Sequence, residues 1–212
     1  MREAIVRALQ KLKGYQQALT HISHSQDCNN ERFEFLGDAV IEVIVSEEIY
    51  RRLPELDEGK MSLARSSLVN GNNLADIFLS LGISKEVLLS RGTGNLPEER
   101  KLSIYAGVLE ALIGAYYLEY GFEKSTKLIN ELFKFEELDW HSLTEKDVKT
   151  KLQEYLQQTG LDFPQLHYEY DANTGFHQVW TMFKEQKFKS SSKLKKMAEQ
   201  DLCSQILEAA NG

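Results

Sequence analysis

Two stretches of this chain are too apolar to face water, yet each carries carboxylates. Residues 31–45 read ERFEFLGDAVIEVIV and residues 103–118 read SIYAGVLEALIGAYYL. Both are apolar on nearly every side, which marks a buried helix. In the first, Glu31, Glu34 and Asp38 stand at i, i+3 and i+7 and project from one face. The second holds one acid in sixteen residues, Glu110. An ionised carboxylate is prohibitively costly to bury alone, so each acid needs a cation, a network of donors or an edge facing water. Two buried helices with inward acids can share a divalent metal, because oxygen-only ligand sets suit Mg²⁺ or Mn²⁺. Pairing with Arg32, Arg65 or Arg100 is the other reading the pattern allows.

The rest of the composition narrows the class. With 212 residues and 42% hydrophobic content, the chain can build one large core or two modest ones. It has no apolar run long enough for a membrane span, and its charged N-terminus lacks the apolar stretch of a signal peptide. Cys28 and Cys203 are too far apart in sequence to suggest a metal module, which makes a reducing, cytoplasmic setting the expectation. A net charge of −7 argues against coating nucleic acid by bulk electrostatics, though not against binding through a local basic edge. His21 and His24 read as structural or capping residues.

Patterning changes across residues 134–146, KFEELDWHSLTEK, which read as a polar linker. Helical periodicity dominates before it, with helices expected over 3–12, 31–52, 61–80, 84–89, 101–120 and 122–134. After it the pattern is α-β-β-β-α: a helix over 147–158, strands near 166–171, 176–184 and 187–189, a turn at Asn173-Thr174-Gly175, and a last helix from about Ser192. Residues 1–146 hold 17 basic and 23 acidic residues, and residues 147–212 hold 8 and 9, so the acidity belongs to the first region.

At this level of detail the residues resemble a known family, ribonuclease III. NNERFEFLGDAVIE at 29–42 is similar to its signature, and ALTHISH at 18–24 to the segment before it. DEGKMSLARSSLVNGNNLA at 57–75 and SIYAGVLEALIGAYYLEYG at 103–121 resemble its next block and its second catalytic helix. DVKTKLQEYLQ at 147–157 and KKMAEQ at 195–200 resemble the opening and closing helices of a double-stranded-RNA-binding domain. The resemblance implies an all-α endonuclease domain over 1–140, which dimerises, followed by a small α+β RNA-binding domain over 146–212. It implies a divalent-metal site that hydrolyses duplex RNA to 5′-phosphate and 3′-hydroxyl ends. Carried over by position, Glu34, Asp38 and Glu110 match metal-site acids, with Asp38 and Glu110 closest to the chemistry. Glu31 matches a supporting acid near the partner subunit, and Phe35 an aromatic that packs across the dimer interface.

One departure bears on that site. The family has Asp three residues before the glutamate of the second helix, where this chain has Gly107. Glycine supplies no ligand and weakens a helix by roughly 0.5–1 kcal/mol relative to alanine, so helix formation does not reward the change. Water filling the vacated position would leave an enzyme of reduced rate. A dead site would leave a catalytically inactive duplex-RNA-binding protein, and an introduced change would read the same way. Glu42, one turn beyond Asp38, reads as a solvated polar residue rather than a substitute ligand.

The RNA-binding region departs as well. Ser190, Ser192 and Leu194 stand where the family's loop before the last helix has two glycines and a serine. Lys193, Lys195 and Lys196 lie at a helix N-terminus, which itself attracts anions, and are expected to contact phosphate. Gln153 matches a minor-groove contact on the first helix, and His177 a hairpin loop that enters the other groove.

Overall fold

The computed structural model describes residues 2–140, 143, 148–172 and 174–211. Contacts divide it into two compact units, Met1–Thr144 and Glu145–Gly212.

The first unit is helical: α1 (Arg2–Leu9), α2 (Tyr15–Ala18), α3 (Glu31–Arg52), α4 (Glu58–Val69), α5 (Gly71–Leu81), α6 (Arg91–Gly94), α7 (Leu102–Tyr120) and α8 (Phe122–Phe133), with 3-10 turns at Ser84–Glu86 and Glu98–Lys101. The single helix expected over 61–80 is two. Asn70 breaks it with an extended backbone (ψ 151°), and its side chain accepts from the Asn73 amide to cap α5. That capping satisfies an amide the broken helix would otherwise orphan.

Helix α7 is the centre of the unit. Tyr105 through Leu109 and Ala111 through Ala115 are all buried, and α3 and α5 pack on it. Two glycines allow α3 to approach closely. A Cβ on Gly37 would overlap the carbonyl oxygen of Glu110, and one on Gly114 would overlap the carbonyl oxygen of Phe33. Each backbone therefore lies against the other with no side chain between them.

Helix α3 is not buried on every side as its composition suggests. Ile41, Ile44, Val45 and Ile49 enter the core, but Phe35, Val43 and Tyr50 are exposed. The segment after α8 is not a free linker either. Phe135 and Trp140 are buried in the first core, the Trp140 indole donates to the Phe135 carbonyl at 2.9 Å, and Arg52 pairs with Glu136. Residues 141, 142 and 144–146 of that expected linker lie outside the described residues.

The second unit comprises α9 (Val148–Gln158), β1 (His167–Asp171), β2 (Phe176–Phe183), β3 (Gln186–Ser192) and α10 (Lys195–Asn211). Its sheet is antiparallel in the order β1-β2-β3. Val179, Phe183 and Phe188 join Leu152, Leu156, Ala198, Leu202 and Ile206 in a separate core. β3 runs to Ser192, so α10 begins at Lys195, later than the sequence suggests. Gly175 takes φ 71° at the β1–β2 turn, a conformation that favours glycine; Asn173 of that turn lies outside the described residues.

Candidate functional site

The glycine contact between α3 and α7 determines which acids meet. Gly37 lies against Glu110, so Glu34 and Asp38 on either side of it are brought to the same stretch of α7. Two of the three carboxylates are perturbed by burial and by neighbouring acids. Burial, then Asp38 and Glu34, push the Glu110 carboxyl up to about 7. Burial, then Glu31 and Asp38, raise that of Glu34. Asp38 lies at the exposed edge, while Glu34 and Glu110 are half-buried.

The cation pairing that the sequence left open is absent among the described residues. Arg65 donates instead to Ser46 Oγ at 3.2 Å, and the ion pairs of this unit use other acids, such as Glu47 and Glu48 on α3. The site thus concentrates negative charge without a basic partner. Its donors are all carboxylate oxygens, a chemistry that fits a hard divalent cation. Among the described residues, however, no three His, Cys, Asp or Glu side chains are already gathered in metal-holding geometry.

Gly107 lies on the same stretch of α7, one turn before Glu110, and is buried. The head of Glu34 sits against it. A Cβ on Gly107 would stand 2.7 Å from Oε2, 2.8 Å from Cδ and 3.0 Å from Oε1 of Glu34. Glu42 is exposed and makes no described contact with the other acids.

Glu31 is exposed at the start of α3 and lies near enough to His21 to offset part of the depression that burial imposes on that imidazole. His21 Nδ1 and Ser23 Oγ are 2.8 Å apart, in keeping with a structural role. Phe35 projects with 82% of its surface exposed, over an open groove of 760 Å³ whose walls include Leu36 and Leu118. An aromatic so placed gains little from the fold of its own chain.

In the second unit Gln153 is exposed on α9, and Lys193, Lys195 and Lys196 are exposed at the entry to α10. His177 stands beside the Gly175 turn, within the strand expected over 176–184. It is the second residue of β2, paired across the ladder with Tyr170, and its ring lies 4.7 Å from the ring of Tyr170.

Sequence reading missed three residues. Tyr168 carries the Lys195 ammonium 4.3 Å from its ring centroid. The other two are Gly37 and Gly114, each inside a helix where glycine is costly, which is itself the signal of a close approach.

The chain is similar to known proteins of one family. A family model described as Ribonuclease-III-like matches residues 12–135. A ribonuclease 3 of Delftia acidovorans is 41% identical over 161 residues, covering 76% of this chain and 70% of that protein. One from Nitratiruptor sp. is 41% identical over 145 residues, covering 66% and 63%. Among solved structures, a nuclease domain of ribonuclease III from Campylobacter jejuni, reported for flexibility in a region involved in dimer formation, aligns with a TM-score of 0.58 at 37% identity. It covers 62% of this chain and 95% of that one. Dicer from Pichia stipitis aligns over 93% of this chain and 94% of its own with a TM-score of 0.50 at 23% identity, a likeness of fold.

Proposed function

Because the chain belongs to the ribonuclease III family of RNA-cleaving endonucleases, we propose that it is itself a divalent-metal-dependent nuclease of double-stranded RNA, acting as a homodimer. The observation that carries this reading is the approach of Glu34 and Asp38 to Glu110 at the glycine crossing, with no ion pair to any of the three among the described residues. Structural acids are expected to pair, whereas acids kept together unpaired await a cation.

Glu34, Asp38 and Glu110 would hold Mg²⁺, with Mn²⁺ as a substitute. When bound, such an ion supplies Lewis acidity to the phosphate and makes water a better nucleophile at neutral pH. The carboxylates orient that water and exclude alternative geometries. Water adds to phosphorus, the bond to the 3′ oxygen breaks, and the proton is delivered to that oxygen, leaving 5′-phosphate and 3′-hydroxyl ends. Glu31 supports the site from the rim. Phe35 is the anchor of the subunit interface, its exposed ring entering the facing copy.

The second unit, residues 146–212 in this reading, grips the duplex by shape. Gln153 meets a minor groove, His177 lies beside the turn that meets the next, and Lys193, Lys195 and Lys196 take phosphates between them.

Two observations favour a second reading, a duplex-RNA binder that does not cut. Gly107 removes one acid, and among the described residues no three acids are gathered in metal-holding geometry. Cleavage of a labelled long duplex with Mg²⁺ and then Mn²⁺ decides between the two readings. Short products lost in Glu110→Ala establish the nuclease; cutting by Gly107→Asp alone establishes the binder.

A further inference from the structure

The sheet of the second unit has one face on its core and, among the described residues, one face open. Val179, Thr181 and Phe183 of β2 are buried, so Gln178, Trp180 and Met182, which alternate with them, point the other way. The register sets His167 of β1 and Lys189 of β3 on either side of Trp180, with Lys187 opposite Met182. From the β1 side the His167 ring stacks on the indole, centroids 4.1 Å apart and planes 16° from parallel. From the β3 side the Lys187 ammonium lies 4.6 Å from the indole centroid. His167, Met182, Lys187 and Lys189 are all exposed.

The two contacts on Trp180 are unlike. A stacked ring holds the indole in place, whereas an exposed ammonium on a flexible stem is a weak and replaceable cover. A nucleobase is a flat group that fits the uncovered indole, and a phosphate is an anion that draws the lysine away. The charge distribution suits such a ligand. β3 carries lysines and no acid, while the acids of this face, Glu169 and Asp171, lie on β1, where Asp171 accepts from Thr174 Oγ1 at 2.8 Å. β3 also runs on toward the lysines at the entry to α10, Lys189 and Lys193 being about 13 Å apart on an extended chain.

We propose that this open face is a site for single-stranded RNA, the unpaired tail that continues one strand of a gripped duplex. One base replaces the Lys187 ammonium on the indole and lengthens the His167–Trp180 stack. Lys187 and Lys189 turn to the phosphates beside it. This rests on the reading of the second unit as a duplex grip, and adds to it a preference for duplexes that end in an unpaired stretch. Stacking reads no base edge, so the preference is indifferent to sequence.

The test titrates the full chain, without divalent metal, against a labelled RNA duplex that is blunt or carries an unpaired 3′ or 5′ tail. At least one tail is expected to tighten binding about tenfold. Trp180→Leu, and Lys187→Ala with Lys189→Ala, should each abolish that gain and leave the blunt duplex bound nearly as before. Trp180→Phe keeps a stacking face and should retain most of the gain, so it and the exposed lysine pair carry the test if Trp180→Leu fails to fold.

Equal affinity for tailed and blunt duplexes overturns the inference. So does a gain that survives Trp180→Leu, which would be a matter of charge alone. Self-association of the RNA-free protein beyond a dimer, removed by Trp180→Leu in sedimentation, would assign the face to a second copy and overturn it as well. Failure to bind any duplex would instead bring down the reading of the second unit, and this inference with it.

Discussion

The first unit holds its acids between two helices in backbone contact, whereas the second holds its lysines out in water. Glu34 and Glu110 are half-buried beside a glycine crossing, where neighbouring groups have almost no freedom to move. Lys193, Lys195 and Lys196 are exposed around the first turn of α10, and only Lys195 has a described seat, the ring of Tyr168. A site of the first kind depends on packing and fails abruptly when one methyl group is added. A surface of the second kind works by summed charge and fails by degrees.

The strongest way to break this contrast is Gly37→Ala, whose Cβ would overlap the Glu110 carbonyl oxygen. It should cost the first unit about 3 kcal/mol and abolish cleavage. Each unit has its own tryptophan, Trp140 and Trp180, so urea unfolding can follow them separately once the other is replaced by Phe. Only the Trp140 transition should move. A shift of both would show that the units are not independent.

A smaller effect follows from Glu110. Its carboxyl is pushed up from 4.5 to about 7 by burial and by Asp38 and Glu34, so the folded chain holds a proton that the unfolded chain releases. Stability of the first unit should therefore fall as pH rises from about 4.5 through 7 in metal-free buffer, then level off. Glu110→Gln should remove that slope, which is worth on the order of 1–2 kcal/mol once partial exposure is discounted. The measurement is the Trp140 urea midpoint against pH. A slope that persists in Glu110→Gln assigns the proton elsewhere.

In the second unit, replacing Lys193, Lys195 and Lys196 by Ala should weaken duplex-RNA binding and flatten its log–log salt dependence by about 2–3. Both urea midpoints should stay where they are. An unchanged salt slope would show that the three lysines are merely solvated.

The smallest effect expected is that of Tyr168→Leu, which removes the seat of Lys195 and should cost about 0.5–1 kcal/mol of RNA affinity, a factor of roughly 2–5. Tyr168→Phe keeps an aromatic face and should bind as before. Equal losses in the two variants would point to the hydroxyl instead.

Much of this was legible because helical and strand periods are local. The phase of Glu31, Glu34 and Asp38, the apolar run around Glu110 and the α-β-β-β-α order of the second region could all be read along the chain. The break at Asn70 was hidden because apolar residues continue in helical phase on both sides of it, though Asn70-Gly71 is a turn signal. Trp140 was misjudged because its polar neighbours resemble a linker, while its ring is anchored by Phe135 and Arg52, which no local pattern shows. The exposed Val43 and Tyr50 were indistinguishable from core residues, since composition records hydrophobicity but not which surface covers it.

The sequence by itself determined which acids exist, that Glu34 and Asp38 share a helix face, and that position 107 carries no side chain. Only the tertiary structure decided that α3 meets α7 glycine to glycine, and that the Glu34 carboxylate fills the space over Gly107. The physical reason is that a helix's period fixes the phase of its own residues. Close packing, burial and the approach of like charges belong to pairs of surfaces, and those pairs are settled only when the helices dock.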